Sequence, residues 1–378
     1  MATQRQPKLT IQDLATLAGV TKSAVSAVLN NRINGTRVSD QTRAKILRVV
    51  KEQNYTPQAA ARSLSMGKTY HIGFLLSSTI NLGLVNACFA TILAGVQQAS
   101  QAQGYNCTVS IYDLSTIKNF IMPQKLRQRS VDGVVIAGQV EAKVIELFMA
   151  QQIPFVMVGD STDFPLQGIL AVAPDVVTNW VKTLVYLDQL GHRRIIVPGF
   201  FDHERRSHEL LAQGIGKFKE LHPASPLTVT IPPLKETRED LYQRAFDAGL
   251  AWTQADPKTR PTALVSHDQW CIGFMAGVQQ GGLACPRDIS IMANNSTPLC
   301  QWVHPAITAF DLKLYEGGQT ATNLLIDLLE KRIPLADAYR RTAASWVPSP
   351  LIERGSVGPA PIGGGKNREM VASPCNEH

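Results

Sequence analysis

Several absences narrow what this chain of 378 residues can be. No run of 18 consecutive apolar residues occurs, which argues against a membrane-spanning helix. No apolar core follows the N-terminal methionine, so a secretory signal is not expected. The six cysteines (Cys88, Cys107, Cys271, Cys285, Cys300 and Cys375) are scattered without a CxxC pair, as expected for reduced thiols in a cytoplasm. His267, Asp268 and Cys271 lie close in sequence but lack the four-ligand spacing of a structural zinc site. Gly214-Ile-Gly-Lys217 suggests a phosphate loop yet lacks the early glycine and the hydroxyl residue after lysine. Ser266, His267 and Asp268 are triad residue types, but neighbours on one strand cannot converge as a triad must. No catalytic centre, metal or cofactor is expected. Residues 355–378 are Gly/Pro-rich and lack a leucine heptad, so a disordered tail is expected there rather than a tetramerisation coil.

What is present is an uneven charge. Residues 1–70 hold 11 Lys/Arg against 3 Asp/Glu, while the whole chain carries only +7, leaving about −1 for the remaining 308 residues. Positive charge confined to a small module is an electrostatic footprint for nucleic acid.

The module reads as short helices. Thr10 caps a first helix with Ile11, Leu14, Ala15 and Ala18 on its inner face, and Gly19 supplies the positive φ of a sharp turn. Thr21 caps a second helix, with Ala24, Val25, Val28 and Leu29 inward. Lys22, Ser23, Ser26 and Ala27 then face outward, a short polar face suited to the major groove. A helical hairpin with no DNA partner shows the same pattern. Residues 39–54 form a third helix capped by Ser39 or Asp40, with Ala44, Ile46, Leu47, Val49 and Val50 as its apolar stripe. Pro57 opens a fourth helix running to about Ser65. So short a helix is marginal alone, so it is expected to order on a partner. Leu64 at its end suits a wedge between base pairs, or else packs on the following domain.

Beyond residue 70, apolar strand-like runs (71–77, 107–111, 132–137, 155–158, 195–198, 228–231, 263–266 and 289–293) alternate with helical segments such as 88–103, 175–190, 205–221 and 238–254. Continuous apolar strands separated by helices indicate parallel sheets covered on both faces, and about 280 residues suit two α/β lobes. Ligands in such sheets sit at the carboxyl ends of strands. Asp268 lies just beyond the strand-like run 263–266 and so marks a candidate ligand contact, with His267, Asn294, Ser78 and Asn81 as neighbours. Asp268 equally suits the cap of a helix over 269–281.

The run TIQDLATLAGVTKSAVSAVLN (10–30), then Arg37-Val-Ser-Asp-Gln-Thr-Arg43, Tyr55-Thr-Pro57 and Ala61-Arg-Ser-Leu64, closely resembles the lactose/galactose-repressor (LacI/GalR) family. Leu190-Gly-His-Arg-Arg-Ile195, the run 261–268 (PTALVSHD), the run 282–290 and His304-Pro-Ala-Ile-Thr308 resemble the family's effector domain more loosely. The resemblance implies an all-α helix-turn-helix domain (1–56), a hinge helix and linker (57–69), and a two-lobed periplasmic-binding-protein-like α/β domain for effector binding and dimerisation (70–354). It implies a cytoplasmic, nucleoid-associated homodimer that represses transcription from a near-palindromic operator in double-stranded DNA. The DNA contacts it implies are Thr10, Thr21, Lys22, Ser23, Ser26, Ala27, Asn30, Ala61 and Leu64, with Lys22 and Ser23 reading bases. Where the family commonly has Arg, this chain has Ala27, which offers a methyl contact instead of a bidentate one. The family's effector-binding Arg falls on Leu211 if Gly214 is the matching glycine, and its usual Gly-Phe-Asp reads Ala293-Asn-Asn295. Loss of a guanidinium fork changes what the pocket binds. Phosphosugar, anionic metabolite, neutral sugar and no ligand all stay open. A regulator insensitive to ligand, with the cleft kept only for dimerisation, is the alternative. A solute-binding module or enzyme is a third, opposed by the charge split.

Overall fold

The computed structural model describes residues 9–29, 38–53, 55, 67–77, 83–118, 120–159, 168–198, 205–232, 241–343, 346–347 and 349–361. Among the described residues the N-terminal unit holds three helices, α1 (Ile11–Ala18), α2 (Lys22–Leu29) and α3 (Asp40–Glu52). Thr10 and Asp13 form a reciprocal capping box on α1, and Gly19 ends it with φ 61°. Leu14, Ala15, Ala18, Val25, Val28, Ile46 and Val49 form the shared core. On α3 the inner face is narrower than expected: Ile46 and Val49 are buried, whereas Ala44 and Leu47 are exposed. At about 100° per residue, Leu47 is rotated a quarter-turn from Ile46, off the contact line. Ser39, not Asp40, caps this helix, accepting from the Thr42 amide at 3.3 Å.

Two six-stranded sheets follow. Lobe one contains β1 (His71–Ser77), β2 (Asn106–Tyr112), β3 (Gly133–Ala137), β4 (Phe155–Val158), β5 (Ala171–Pro174) and β11 (Trp346–Val347), in the order β11-β5-β4-β3-β1-β2. Lobe two contains β6 (Arg194–Ile196), β7 (Thr228–Thr230), β8 (Ala263–Ser266), β9 (Ser290–Ala293), β10 (Thr308–Phe310) and β12 (Leu351–Ile352), in the order β12-β10-β9-β8-β6-β7. Every pairing is parallel except β10 with β12. β1 shows why the strands are apolar throughout. Ile72, Phe74 and Leu76 enter one core with Val96, Leu324 and Leu325, while Leu75 enters another with Val144 and Phe148.

Helices α4 (Ala87–Ala102), α5 (Gln124–Arg127), α6 (Ala142–Ala150), α11 (Leu314–Leu329) and α12 (Leu335–Ala343) belong to lobe one. Helices α7 (Val176–Gln189), α8 (Arg205–Leu221), α9 (Leu241–Gln254) and α10 (Asp268–Gln280) belong to lobe two. α4 and α11 pack so closely that a Cβ on Gly95 would lie 2.0 Å from the Tyr315 carbonyl oxygen. The chain passes between lobes after β5, after β10 and between β11 and β12. The last two passages touch, the Asp311 amide donating to the Pro350 carbonyl at 2.9 Å.

The C-terminal boundary needs correction. Residues 355–361 were expected in a disordered tail, yet they form a strap beneath lobe two. Ser356 is fully buried, its hydroxyl accepting from the Thr308 amide at 2.8 Å. The Gly358 amide donates to Ser290 Oγ at 3.0 Å, and the Ala360 amide to the Leu190 carbonyl at 2.8 Å. Gly/Pro-rich composition signals disorder only where the backbone finds no partners, and here it finds several. Residues 362–378, including Cys375, lie outside the described residues.

His192 fastens this strap. It is fully buried, with Nδ1 3.0 Å from Thr262 Oγ1 and Nε2 3.1 Å from the Gly358 carbonyl. A carbonyl only accepts, so this network assigns the proton to Nε2. Burial holds the imidazole below its ordinary pKa of 6.5, against the opposing pull of the Gly358 carbonyl. The unfolded chain therefore binds a proton that the folded one refuses. The contribution of His192 to stability is full above about pH 6.5 and declines as pH falls toward the lower folded value. Melting temperatures recorded from about pH 7.5 to about pH 5 should fall, and His192→Gln should flatten that dependence. An equal slope in wild type and variant would show that His192 carries none of it.

Candidate DNA-reading helix and interlobe cleft

On α2 the first turn is held by Thr21, whose Oγ1 accepts from the Ala24 amide at 3.2 Å and lies 2.9 Å from Ser23 Oγ. Thr21, Lys22 and Ser23 are exposed, and Ser26 is half-buried. Thr10 is exposed at the start of α1, its hydroxyl engaged with Asp13. Ala27 does not face outward: only 8% of it is exposed. It lies about 60° around the helix from Ala24, which places its methyl at the edge of the buried stripe rather than beside Lys22 and Ser26. The outward face is therefore narrower and more N-terminal than expected. Asn30, Ala61 and Leu64 lie outside the described residues.

The cleft follows from topology. In each sheet the order reverses, at β1/β3 in lobe one and at β6/β8 in lobe two. Strand ends at such a reversal leave a crevice. In lobe one the crevice is at Ser77 and Gly138, where a Cβ on Gly138 would lie 2.3 Å from the Ser77 carbonyl. In lobe two it is at Pro198 and Ser266, joined by the Ser266 hydroxyl donating to the Pro198 carbonyl at 2.7 Å.

Asp268 sits beside this second crevice. It is the first residue of α10, so the helix begins one residue earlier than expected, with His267 at the cap position. Asp268 as a whole is 4% exposed. One oxygen accepts from the Gln269 amide at 2.8 Å, and the other accepts a short hydrogen bond from the Thr297 hydroxyl. Two of its roughly four acceptor sites are thus committed to its own lobe. His267 and Asn294 are half-buried, and the Asn294 amide donates to the Ser266 carbonyl at 2.8 Å. Ser78 and Asn81 lie outside the described residues.

Three further residues complete this neighbourhood: Thr297 and Cys88, which the sequence did not mark for this site, and Asn295, which it marked only as the end of Ala293-Asn-Asn295. Asn295 is buried; its Oδ1 accepts from the Asp268 amide at 3.2 Å, and its Nδ2 donates to Cys88 Sγ at 3.0 Å. Cys88 stands at the start of α4, so this contact joins the lobes. Burial pushes the Cys88 thiol well above its ordinary range, and the Asp268 charge adds to the shift. Cys300 is likewise pushed up to about 12, first by burial and then by Asp268. Leu211, at the position matched to the family's arginine, is fully buried in the lobe-two core with Trp180 and Phe218. It brings no charge to the cleft. The sequence signal for Asn295 was its place in Ala293-Asn-Asn295, after a strand-like run and where the family's usual Gly-Phe-Asp falls.

Thr297→Val keeps the outline of the side chain but leaves a buried carboxylate oxygen without its donor. It should destabilise the protein by about 1–3 kcal/mol, read as a lower urea midpoint. Thr297→Ser, which keeps the hydroxyl, should lose less. Equal losses in the two variants would point to packing rather than to the hydrogen bond.

Known families match both the helical unit and the two lobes. Residues 10–58 match the family described as bacterial regulatory proteins, lacI family. Residues 69–214 match periplasmic binding proteins and the sugar-binding domain of the LacI family, and residues 184–357 a periplasmic binding protein-like domain. The ribose operon repressor of Haemophilus influenzae is 29% identical over 328 residues, spanning 85% of this chain and 92% of that protein. The transcriptional repressor PurR of Vibrio vulnificus is 28% identical over 85% of this chain and 92% of its own length. Among solved structures, the lac repressor dimer bound to operator and the anti-inducer ONPF aligns with a TM-score of 0.72 at 19% identity, covering 93% of this chain and all of that one. A LacI family regulator from Enterococcus faecium with bound ribose aligns at 0.61 and 20% identity, over 76% of this chain and 99% of that one. With a capped reading helix ahead of two α/β lobes and these family matches along its length, the chain is a DNA-binding transcriptional regulator of the LacI family.

Proposed function

We propose that this regulator is a repressor that grips a near-palindromic operator as a homodimer and responds to a small molecule, a sugar or related metabolite, bound between its lobes. The observation that carries the reading is the pair Lys22 and Ser23, exposed on the capped first turn of α2 in the basic part of the chain. Leu64 would serve as the minor-groove wedge of a hinge that orders on DNA. No helix among the described residues is long and apolar enough to cross a membrane. Its place is with the chromosome in the cytoplasm. The curated relatives it matches are transcriptional regulators, and no catalytic step is assigned to it.

The operator can be found by selecting duplexes from a random library with the full-length protein. Lys22→Ala should then lose roughly 1–3 kcal/mol of discrimination at one base pair in each half-site. A uniform loss over all sequences, with a shallower salt dependence, would assign Lys22 to phosphate instead.

For the effector, Asp268 retains acceptor capacity beyond Gln269 and Thr297, and charge-assisted bonds to ligand hydroxyls are the stronger kind. A metabolite at 100 times its Kd should stabilise the protein by about 2.7 kcal/mol. In thermal-shift screens of sugars and phosphosugars, Asp268→Asn should reduce the shift while keeping the fold. The ligand-insensitive reading also has specific support. Leu211 is a core residue, the Asp268 carboxylate is tied to its own lobe, and Cys88 with Asn295 bridges the cleft. A screen without any shift, alongside intact operator binding, would favour that reading.

A further inference from the structure

The end of lobe one where the linker enters carries cations that the fold does not use. The chain comes in at Gly67, and its anchorage there is well defined. The Thr69 and Tyr70 amides donate to the Asp132 carboxylate at 2.7 and 2.8 Å, and the Asp132 amide donates to the His71 carbonyl at 2.8 Å. On the other side, Lys68 Nζ meets Glu330 at 2.8 Å, and Glu330 also accepts from the Tyr105 hydroxyl at 2.5 Å. The linker thus lies between two neighbouring segments, 127–132 and 330–332.

Both segments are basic. Arg127 and Arg129 stand just before Asp132, and Lys331 stands between Glu330 and Arg332. All three are exposed and have no carboxylate partner among the described residues. Nearby acids are committed elsewhere: Glu330 to Lys68 and Tyr105, Asp327 to Arg332 and Arg341, Asp132 to linker amides. Arg129 and Lys331 also adopt positive φ (50° and 56°), in the turns that close α5 and α11. Nothing in the packing of lobe one requires a charge at these positions.

The linker limits where this rim can be. Tyr55 and Gly67 are twelve residues apart, a span of at most about 43 Å even if fully extended. Side chains flanking the entry point therefore stay within that reach of the N-terminal unit and of whatever it holds. We propose that Arg127, Arg129 and Lys331 form a second, sequence-independent contact with the phosphates of duplex DNA flanking the operator. This rests on the DNA-binding reading above. The partner follows from chemistry: guanidinium and ammonium groups without carboxylate partners among the described residues, kept within reach of a bound polyanion, replace its counterions.

The test uses the full-length protein and a duplex selected by it, either trimmed to the protected base pairs or extended by about 20 base pairs of arbitrary sequence on each side. The triple variant Arg127→Gln/Arg129→Gln/Lys331→Gln should bind the extended duplex about tenfold or more weakly at low salt. Each lost contact should flatten the dependence of log K on log salt by about 0.9. On the trimmed duplex, wild type and variant should bind alike. Lys118→Gln/Lys143→Gln, which removes exposed cations at the opposite ends of lobe-one strands, should change neither quantity. Equal affinity and equal slope for wild type and the triple variant on the extended duplex overturn the proposal while leaving the DNA reading intact. A comparable loss in the Lys118/Lys143 variant overturns it too, since the effect would then be one of net charge. Failure of the wild-type protein to enrich any duplex overturns the DNA reading, and the proposal with it.

Discussion

A parallel strand must be followed by a crossover before its neighbour can be laid down, and each crossover helix covers one face of the sheet. Most of this molecule is organised by that constraint. Because the sheets are covered on both sides, strands such as β1 are buried on both faces, and inward alternation disappears from the sequence. Because crossovers leave from strand ends, the segments free to build a site gather at those ends. Asp268, Asn295 and Cys88 are all there, each just beyond a strand or at the start of the helix that follows one. The site positions are a by-product of the way the sheets are covered.

The strands buried on both faces were the most legible part of the sequence. Runs 71–77, 155–158 and 263–266 coincide with β1, β4 and β8, and helix 205–221 with α8. β5, β10, β11 and β12 were not among the runs read as strands. They are two to four residues long and owe their identity to distant partners, as when Trp346 aligns with Ala173. Helix α11 carries Gly317-Gly318, which count against a helix locally. In the fold Gly318 lets α4 approach, since a Cβ there would lie 2.3 Å from the Ile92 carbonyl. The strap failed to show for the same reason: its order comes from His192, Ser290 and Thr308, far back in the chain.

The two candidate sites differed in legibility because they are built differently. Thr21, Lys22 and Ser23 form one turn of one helix, so spacing alone placed them on the surface. Among the described residues of that face Ala27 was misplaced: it lies about 60° around the helix from the buried Ala24, at the edge of the stripe. Asp268 was placed correctly beside a strand end, yet what its carboxylate does depends on Thr297, 29 residues on, and its surroundings include Cys88 from the other lobe. Neither pairing leaves a trace in residue order. A side chain that suits both a cap and a ligand contact is resolved only by which lone pairs the fold leaves over.

Three passages of chain connect the lobes, and two of them are hydrogen-bonded to each other between Asp311 and Pro350. A single tether transmits almost no torque, whereas several side by side resist stretching and twisting and yield most readily to bending. One lobe can therefore tilt against the other about an axis near the passages, and a small tilt is magnified with distance from that axis. The far ends of the strands in lobe one, where the linker attaches, are well placed to undergo the larger excursion. The cleft and the end where the linker attaches are related as a short lever arm is to a long one.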